Sequence, residues 1–189
     1  MERQLETNHL LVLMQKIENV RNFISKPLKE NDKTCLYKAY SYGHSSMGNF
    51  AREMLVVEKQ SIRNRVVEST LSPYMTKEQD NQSWIENVPF LAITLIDKKR
   101  AIARVGQVGV KVAEREAEGA LQNLRLIATT LDIGTTVVRE FNEKVLQDNL
   151  ELPWYVKPIA IIAGGYSNNL EKKSPHLHYK EIIHKDEWI

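Results

Sequence analysis

A single cysteine, Cys35, in 189 residues rules out an intrachain disulfide and leaves no thiolate cluster for zinc or an iron–sulfur centre, so a reducing compartment is expected. Neither charge sign dominates. The 26 Lys and Arg against 24 Asp and Glu give a formal net charge of +2, and their mixing along the chain excludes the broad basic footprint of a nucleic-acid binder. No run approaches the roughly 20 apolar residues needed to cross a bilayer, and Met1-Glu2-Arg3-Gln4-Leu5 has no apolar signal core. The expectation is a cytoplasmic protein with neither a nucleic-acid nor a membrane partner. Internal repeats, low-complexity tracts and Gly/Ser linkers are missing as well, so residues 1–189 read as one domain, long enough to bury its own core.

What is present reads as alternating elements. Leu10, Leu13, Met14 and Ile17 share a helical face, Lys26-Pro27-Leu28 breaks the chain, and a second helix runs from near Glu30 to Gly43. Met54-Leu55-Val56-Val57 and residues 90–96 have the composition of buried strands; between them lie a short helix at 62–69, an interruption at Pro73 and polar sequence of helical character at 77–87. Asp97-Lys98-Lys99-Arg100 reads as a charged turn. The clearest periodicity follows, with Val110, Ala113, Ala117, Ala120, Leu124, Ile127 and Leu131 stepping by three and four. Leu121 and Ala128 widen that apolar face, and Lys111, Glu114, Arg115, Glu118 and Arg125 supply the solvated one. Gly119 inside this helix costs about 1 kcal/mol against alanine; a tolerated defect and the close approach of a neighbouring helix or ligand both account for it. Asp132-Ile133-Gly134 then stops the helix, Thr135-Thr136-Val137-Val138 forms a strand, Asn142 caps a short helix to Leu150, and Lys157-Pro158 opens a last strand over 159–163 that ends at Gly164-Gly165-Tyr166. Strands separated by helices give an α+β or α/β domain.

Signatures of side-chain chemistry are absent: no Walker A, GxSxG, HExxH or CxxC pattern occurs. Gly106-Gln107-Val108-Gly109 lacks the full dinucleotide spacing and reads as a loop entering the long helix. His176 and His178 fall on one side of an extended segment with His184 beyond, but no carboxylate or cysteine joins them at ligand spacing, so they read as solvated and no metal is expected. Cys35 has no marked histidine partner and reads as an inert thiol. This leaves chemistry carried by a cofactor, for which the protein supplies backbone donors and a phosphate pocket.

Over residues 116–166, Gly119, Gln122, Asn123, Leu124, Leu131, Gly134, Thr135, Phe141, Gly165 and Tyr166 stand in a pattern that resembles the C-terminal half of the FMN-dependent nitroreductase family, with Asp132 in place of the first turn glycine. The N-terminal half is similar in fewer places. Asn19 and Arg21 match the serine and second basic residue of the family's R-x-S-x-R-x-F phosphate motif, Ile17 replaces its first arginine, and Lys16 lies adjacent. Ser45, Ser46, Met47 and Asn49 resemble the P-S-x-x-N turn, although the Q-P-W that follows has become Ala51-Arg52-Glu53; His176 takes the place of an arginine in the K-x-R phosphate position, where Lys172 or Lys173 would have to help. Arg104 and the glycines at 106 and 109, leading into the long helix, resemble the azoline-oxidising branch of peptide-maturation dehydrogenases.

The resemblance implies an α+β three-layer sandwich, a mixed and mainly antiparallel sheet covered by helices, in an intertwined homodimer whose 167–189 extension embraces the partner subunit. It implies FMN as cofactor, held by Asn19, Arg21 and His176 at the phosphate, by a backbone N–H of the Val137, Arg139 and Glu140 turn at the ring, and by Ser45, Ser46, Met47 and Asn49 of the partner chain. It also implies hydride transfer from NAD(P)H to flavin N5 and on to a small-molecule acceptor such as a nitroaromatic or quinone, with no catalytic side chain. The losses at Ile17, at 51–53 and at His176 motivate the alternative of a degenerate member that stores FMN without nicotinamide-driven turnover.

Overall fold

The computed structural model describes residues 2–72, 81–168 and 175–188; Pro73, residues 77–80, Lys172 and Lys173 lie outside the described residues. Four strands, β1 (Arg52–Val56), β2 (Phe90–Asp97), β3 (Ile133–Val138) and β4 (Val156–Tyr166), form one sheet in the order β1-β2-β4-β3. All three pairings are antiparallel; among the described residues the parallel component is confined to a bridge between Asn19 and Thr135 on the outer edge of β3.

Because side chains alternate across a strand, β2 feeds two cores. Phe90 and Ala92 pack with Leu36 and Tyr40 of α2 (Glu30–Ser41) and with Leu121, Leu124 and Ala128 of α5 (Val108–Thr130). Leu91 and Ile93 pack on the other face with Val66 of α3 (Gln60–Ser69) and Leu146 of α6 (Glu143–Asn149). Helices on both faces make the three layers, and explain why β2 and the inner half of β4 are apolar at successive positions rather than at every second one. In the N-terminal half, α1 (Glu2–Gln15) leaves Leu10 and Met14 exposed and Leu13 half-buried, so the apolar face read there from the sequence is only partly covered within this chain.

Two local expectations are corrected. Asp97-Lys98-Lys99-Arg100 is not a turn but the start of α4 (Lys98–Val105): the Asp97 carboxylate accepts the Arg100 backbone N–H at 3.0 Å, a helix N-cap. Gly106, at φ 64°, ends that helix, and Gly109 lies inside α5, where a Cβ would overlap the Ala101 carbonyl oxygen. Pro158 does not open β4 but lies within it; the register steps from Thr94 opposite Ala160 to Leu95 opposite Pro158, leaving Ile159 as the extra residue of a bulge that relieves the missing N–H. Asp132, which stands where the resemblance expects glycine, adopts φ 55°. Aspartate is one of the few residues that tolerates that left-handed region.

Tyr40 shows how tightly α2 is seated. Its hydroxyl donates to the Glu53 carbonyl at 3.0 Å, and burial pushes its pKa up to about 12. Since the folded value lies above the ordinary 10, Tyr40 contributes stability in full below pH 10 that is lost as the pH rises through 12. In an alkaline titration followed by tyrosinate absorbance, Tyr40 should ionise last, together with loss of near-ultraviolet circular dichroism, whereas a Tyr40→Phe variant should lack that final step.

Candidate functional site

The outer edge of β3 is where the sequence-predicted residues converge. In an antiparallel ladder alternate residues direct both backbone groups to the same side. The Thr135 carbonyl accepts the Val20 N–H at 3.1 Å, so Thr135 and Val137 face away from β4. The edge is covered again at Glu140, whose carbonyl accepts the Leu71 N–H at 2.8 Å. Between these two clamps the Val137 backbone has no outward backbone partner among the described residues, and the Arg139 N–H donates to the neighbouring Glu140 Oε2 at 3.2 Å.

The segment that clamps the Thr135 end carries Asn19 and Arg21. It is held by Thr136 Oγ1, which donates to the Val20 carbonyl, and by close packing: a Cβ at Gly134 would come within 2.9 Å of the Val20 side chain. Glycine is needed there for that approach. Arg21 turns outward and lies over the Trp84 ring at 5.6 Å. His176 sits at the C-terminus of α1, with Nε2 3.2 Å from the Gln15 carbonyl, four residues before Asn19. Asn19, Val137, Arg139 and Glu140 therefore lie along or beside one strand edge, Arg21 borders it, and His176 is tied to the end of α1 from which the Asn19 segment leads.

Arg125 was missed by the sequence reading, which placed it on the solvated side of α5. Its Nε donates to Thr135 Oγ1 at 3.2 Å, and its Nη2 donates to the Glu18 carbonyl and Asn19 Oδ1, both at 3.1 Å. Burial, and next the Arg139 charge, hold its pKa below the usual arginine value. The signal was present: position 125 is four residues after Leu121 and three before Ala128, inside the buried stripe. Arg139 differs, because its guanidinium is paired with Glu118, Nε to Oε1 at 3.0 Å and Nη2 to Oε2 at 2.5 Å, and that bond raises its pKa. Beside this pair a cleft of about 570 Å³ opens, lined by Glu118, Arg139, Phe141, Lys157 and Ile159 among others.

The 45–49 loop lies elsewhere. The Ser46 N–H donates to Glu116 Oε1, whereas Arg139 reaches Glu118; residues two apart on a helix point about 200° apart, so the loop and the β3 edge occupy opposite faces of α5. Within one chain Ser45, Ser46, Met47 and Asn49 do not join the other site residues. The loop is nevertheless rigidly placed. Ser45 Oγ accepts the Phe50 N–H at 2.9 Å, Asn49 Nδ2 reaches the Ala101 carbonyl at 3.5 Å, and the Arg52 guanidinium donates to the carbonyls of Ser41, Gly43 and His44. Arg52 thus takes over, with its own donors, the anchoring of a loop whose following residues depart from the expected sequence. Gly43 rests on α5, where a Cβ would overlap Ala120. Gly43→Ala should therefore lower stability by about 1–3 kcal/mol, read as a fall in Tm of about 2–4 °C per kcal/mol, and should push the loop off the helix.

Among the described residues no group of three metal-ligating side chains assembles; His178 caps the turn Tyr179–Glu181 and His184 stacks on Trp188. No helix of the described residues is long and apolar enough to cross a membrane.

No family model matches the sequence. Of the chain, 95% superposes on nitroreductase A from Vibrio parahaemolyticus, covering 76% of that protein at TM-score 0.81 with 14% identity, and 93% superposes on 98% of an FMN-dependent nitroreductase from Clostridium difficile at TM-score 0.74 with 20% identity. The chain has the nitroreductase fold. A curated NADPH-dependent oxidoreductase from Staphylococcus epidermidis is 25% identical over 198 residues, an alignment that takes in 96% of this chain and 75% of the relative. Within the nitroreductase fold, the strand edge at Val137 and Arg139 and the segment at Asn19 stand at the two ends of one surface, with α5 as its backing.

Proposed function

We propose that the chain is an FMN-dependent oxidoreductase that takes hydride from NAD(P)H and delivers electrons to a small-molecule acceptor such as a nitroaromatic or quinone. The observation that carries this reading is the open stretch of β3 between Thr135 and Glu140, with an N–H donor at Arg139 and the Asn19 amide at its far end. Those groups suit a flavin mononucleotide, which needs a donor at the ring and polar or cationic groups at the phosphate. The names of the similar oxidoreductase and nitroreductases support the same reading.

In this reading the Arg139 N–H exchanges the Glu140 carboxylate for the ring, orienting it through the backbone so that the arginine side chain stays with Glu118. Asn19, Arg21 and His176 hold the phosphate, with Arg21 kept near by its stacking on Trp84. FMN, when bound, supplies the hydride-accepting chemistry; no side-chain acid or base is needed. Ser45, Ser46, Met47 and Asn49 face a second copy of the chain, which we propose completes each site in a homodimer. Three features support this: α1 exposes Leu5, Leu10, Leu11 and Met14, the tail exposes Leu177, Ile182, Ile183 and Trp188, and a Cβ at Gly119 would meet nothing within 4 Å, so the middle of α5 is open to a partner. The 167–189 extension is then the arm that grips that partner, in a single-domain cytoplasmic protein.

Anaerobic titration decides the matter. Protein reconstituted with FMN should show a flavin absorbance band that bleaches on adding NADPH or NADH and returns when a quinone is added. Failure to bind FMN would overturn the reading, and bound FMN that neither nicotinamide reduces would replace it with storage.

A further inference from the structure

We infer that the Arg125 guanidinium is the phosphate-binding cation of this site, supplying from α5 the charge that Ile17 cannot supply from the N-terminal segment. The inference rests on the FMN reading above and concerns one residue of it. Arg125 is half-buried, and its three hydrogen bonds go to neutral oxygens, those of Thr135, Glu18 and Asn19. Among the described residues no carboxylate forms an ion pair with it, and its Nη1 has no acceptor. A half-buried guanidinium with neutral acceptors alone lacks a counter-ion, which an anionic ligand would supply. The groups it touches fix the plane of the guanidinium and leave its remaining donors for one more acceptor. The Arg139 guanidinium, although paired with Glu118, lies near enough that its charge is the second cause, after burial, of the depressed Arg125 pKa.

The acceptor has to be small, anionic and rich in oxygen, and the neighbour that Arg125 orients is Asn19, the residue placed at the phosphate by sequence. A phosphate monoester meets these requirements, and the two N–H groups of Nη1 can donate charge-assisted bonds to it. Two phosphates are within the proposed chemistry: that of FMN and the 2′-phosphate of NADPH. The position of Arg125 at the Asn19 end of β3, about four residues or ~13 Å along the strand from Arg139, favours the flavin phosphate, since Arg139 holds the ring end.

The test compares FMN with riboflavin, which lacks the phosphate, by quenching of flavin fluorescence in the wild-type protein and in Arg125→Met and Arg125→Lys. The wild type should prefer FMN on the order of 10- to 100-fold. Arg125→Met should lose that preference by weakening FMN alone, with riboflavin affinity unmoved, which also shows that the variant is folded; Arg125→Lys should keep part of it and decides the question if the methionine variant does not fold. A methionine variant that keeps the full FMN preference overturns the inference and leaves the flavin reading standing. So does one that keeps it but loses a preference for NADPH over NADH. If the wild type binds neither flavin, both fall.

Discussion

Arg139→Pro should reduce the rate of flavin reduction by about two to three orders of magnitude, while Arg139→Ala should stay within a few-fold of the wild type. The contrast isolates the backbone. Proline removes the N–H that the proposed site uses at the ring, and loss of one such preorganised donor typically costs about 10²–10³ in rate. The substitution is unusually clean here. That N–H donates only to the Glu140 side chain and to no strand partner, and Arg139 is absent from the positive-φ residues that proline could not adopt. Its predecessor Val138 is a strand residue, the conformation that the position before proline prefers. Alanine keeps the donor and removes the Glu118 pair, which is exposed and worth at most about 1 kcal/mol. Stopped-flow bleaching of the flavin band measures both variants; equal rates for proline and alanine would remove the backbone donor from the mechanism.

Leu124→Ala should cost about 2–5 kcal/mol of folding stability, a fall in Tm of about 4–20 °C at 2–4 °C per kcal/mol. Leu124 is completely buried where α5 meets the sheet, in the cluster that includes Leu36, Phe90, Leu121 and Ile162. Those neighbours belong to three other elements as well as α5, so they cannot all move to fill the space of the missing isobutyl group. Urea denaturation gives the number, and a loss below about 1 kcal/mol would mean that α5 shifts bodily on the sheet. The same variant reports on the site, because Leu124 is the immediate neighbour of Arg125: a movement of α5 would appear as a weakened grip on FMN.

The elements most legible in the sequence were those with one strong period and a plain burial reason. Residues 110–131 carried a helical stripe and form α5 with its ends within two residues of the expectation; β2 and β3 followed from short, continuously apolar or β-branched runs, and α6 from its Asn142 cap. The failures have particular causes. α4 is a single buried Ala101 wide on its core side, and its charged first turn looks like a loop until the Asp97 cap is seen. Pro158 was assigned to the strand start because a strand interior normally excludes it, and the bulge that admits it is a property of the pairing with β2, invisible in either strand alone. Arg125 is the instructive case. Charge argued for solvent and position argued for the core; the position was right, because the oxygens that accept its N–H groups come from Glu18, Asn19 and Thr135, more than a hundred residues away or across a turn. The proposed site residues could be named from the sequence before they could be placed. The resemblance assigned the 45–49 loop to the site of the partner chain, and within one chain α5 stands between that loop and the β3 edge.

That division of labour by α5 has a genetic corollary for a paired assembly in which the loop of each chain serves the strand edge of the other. Mix one mutant disabled at the Asn19 edge with another disabled in the loop. Every hybrid pair then gathers both lesions into one compartment and leaves its twin wholly wild type. Two inactive alleles would rescue each other, up to half of the full complement in each hybrid, a bookkeeping that a self-contained site cannot produce.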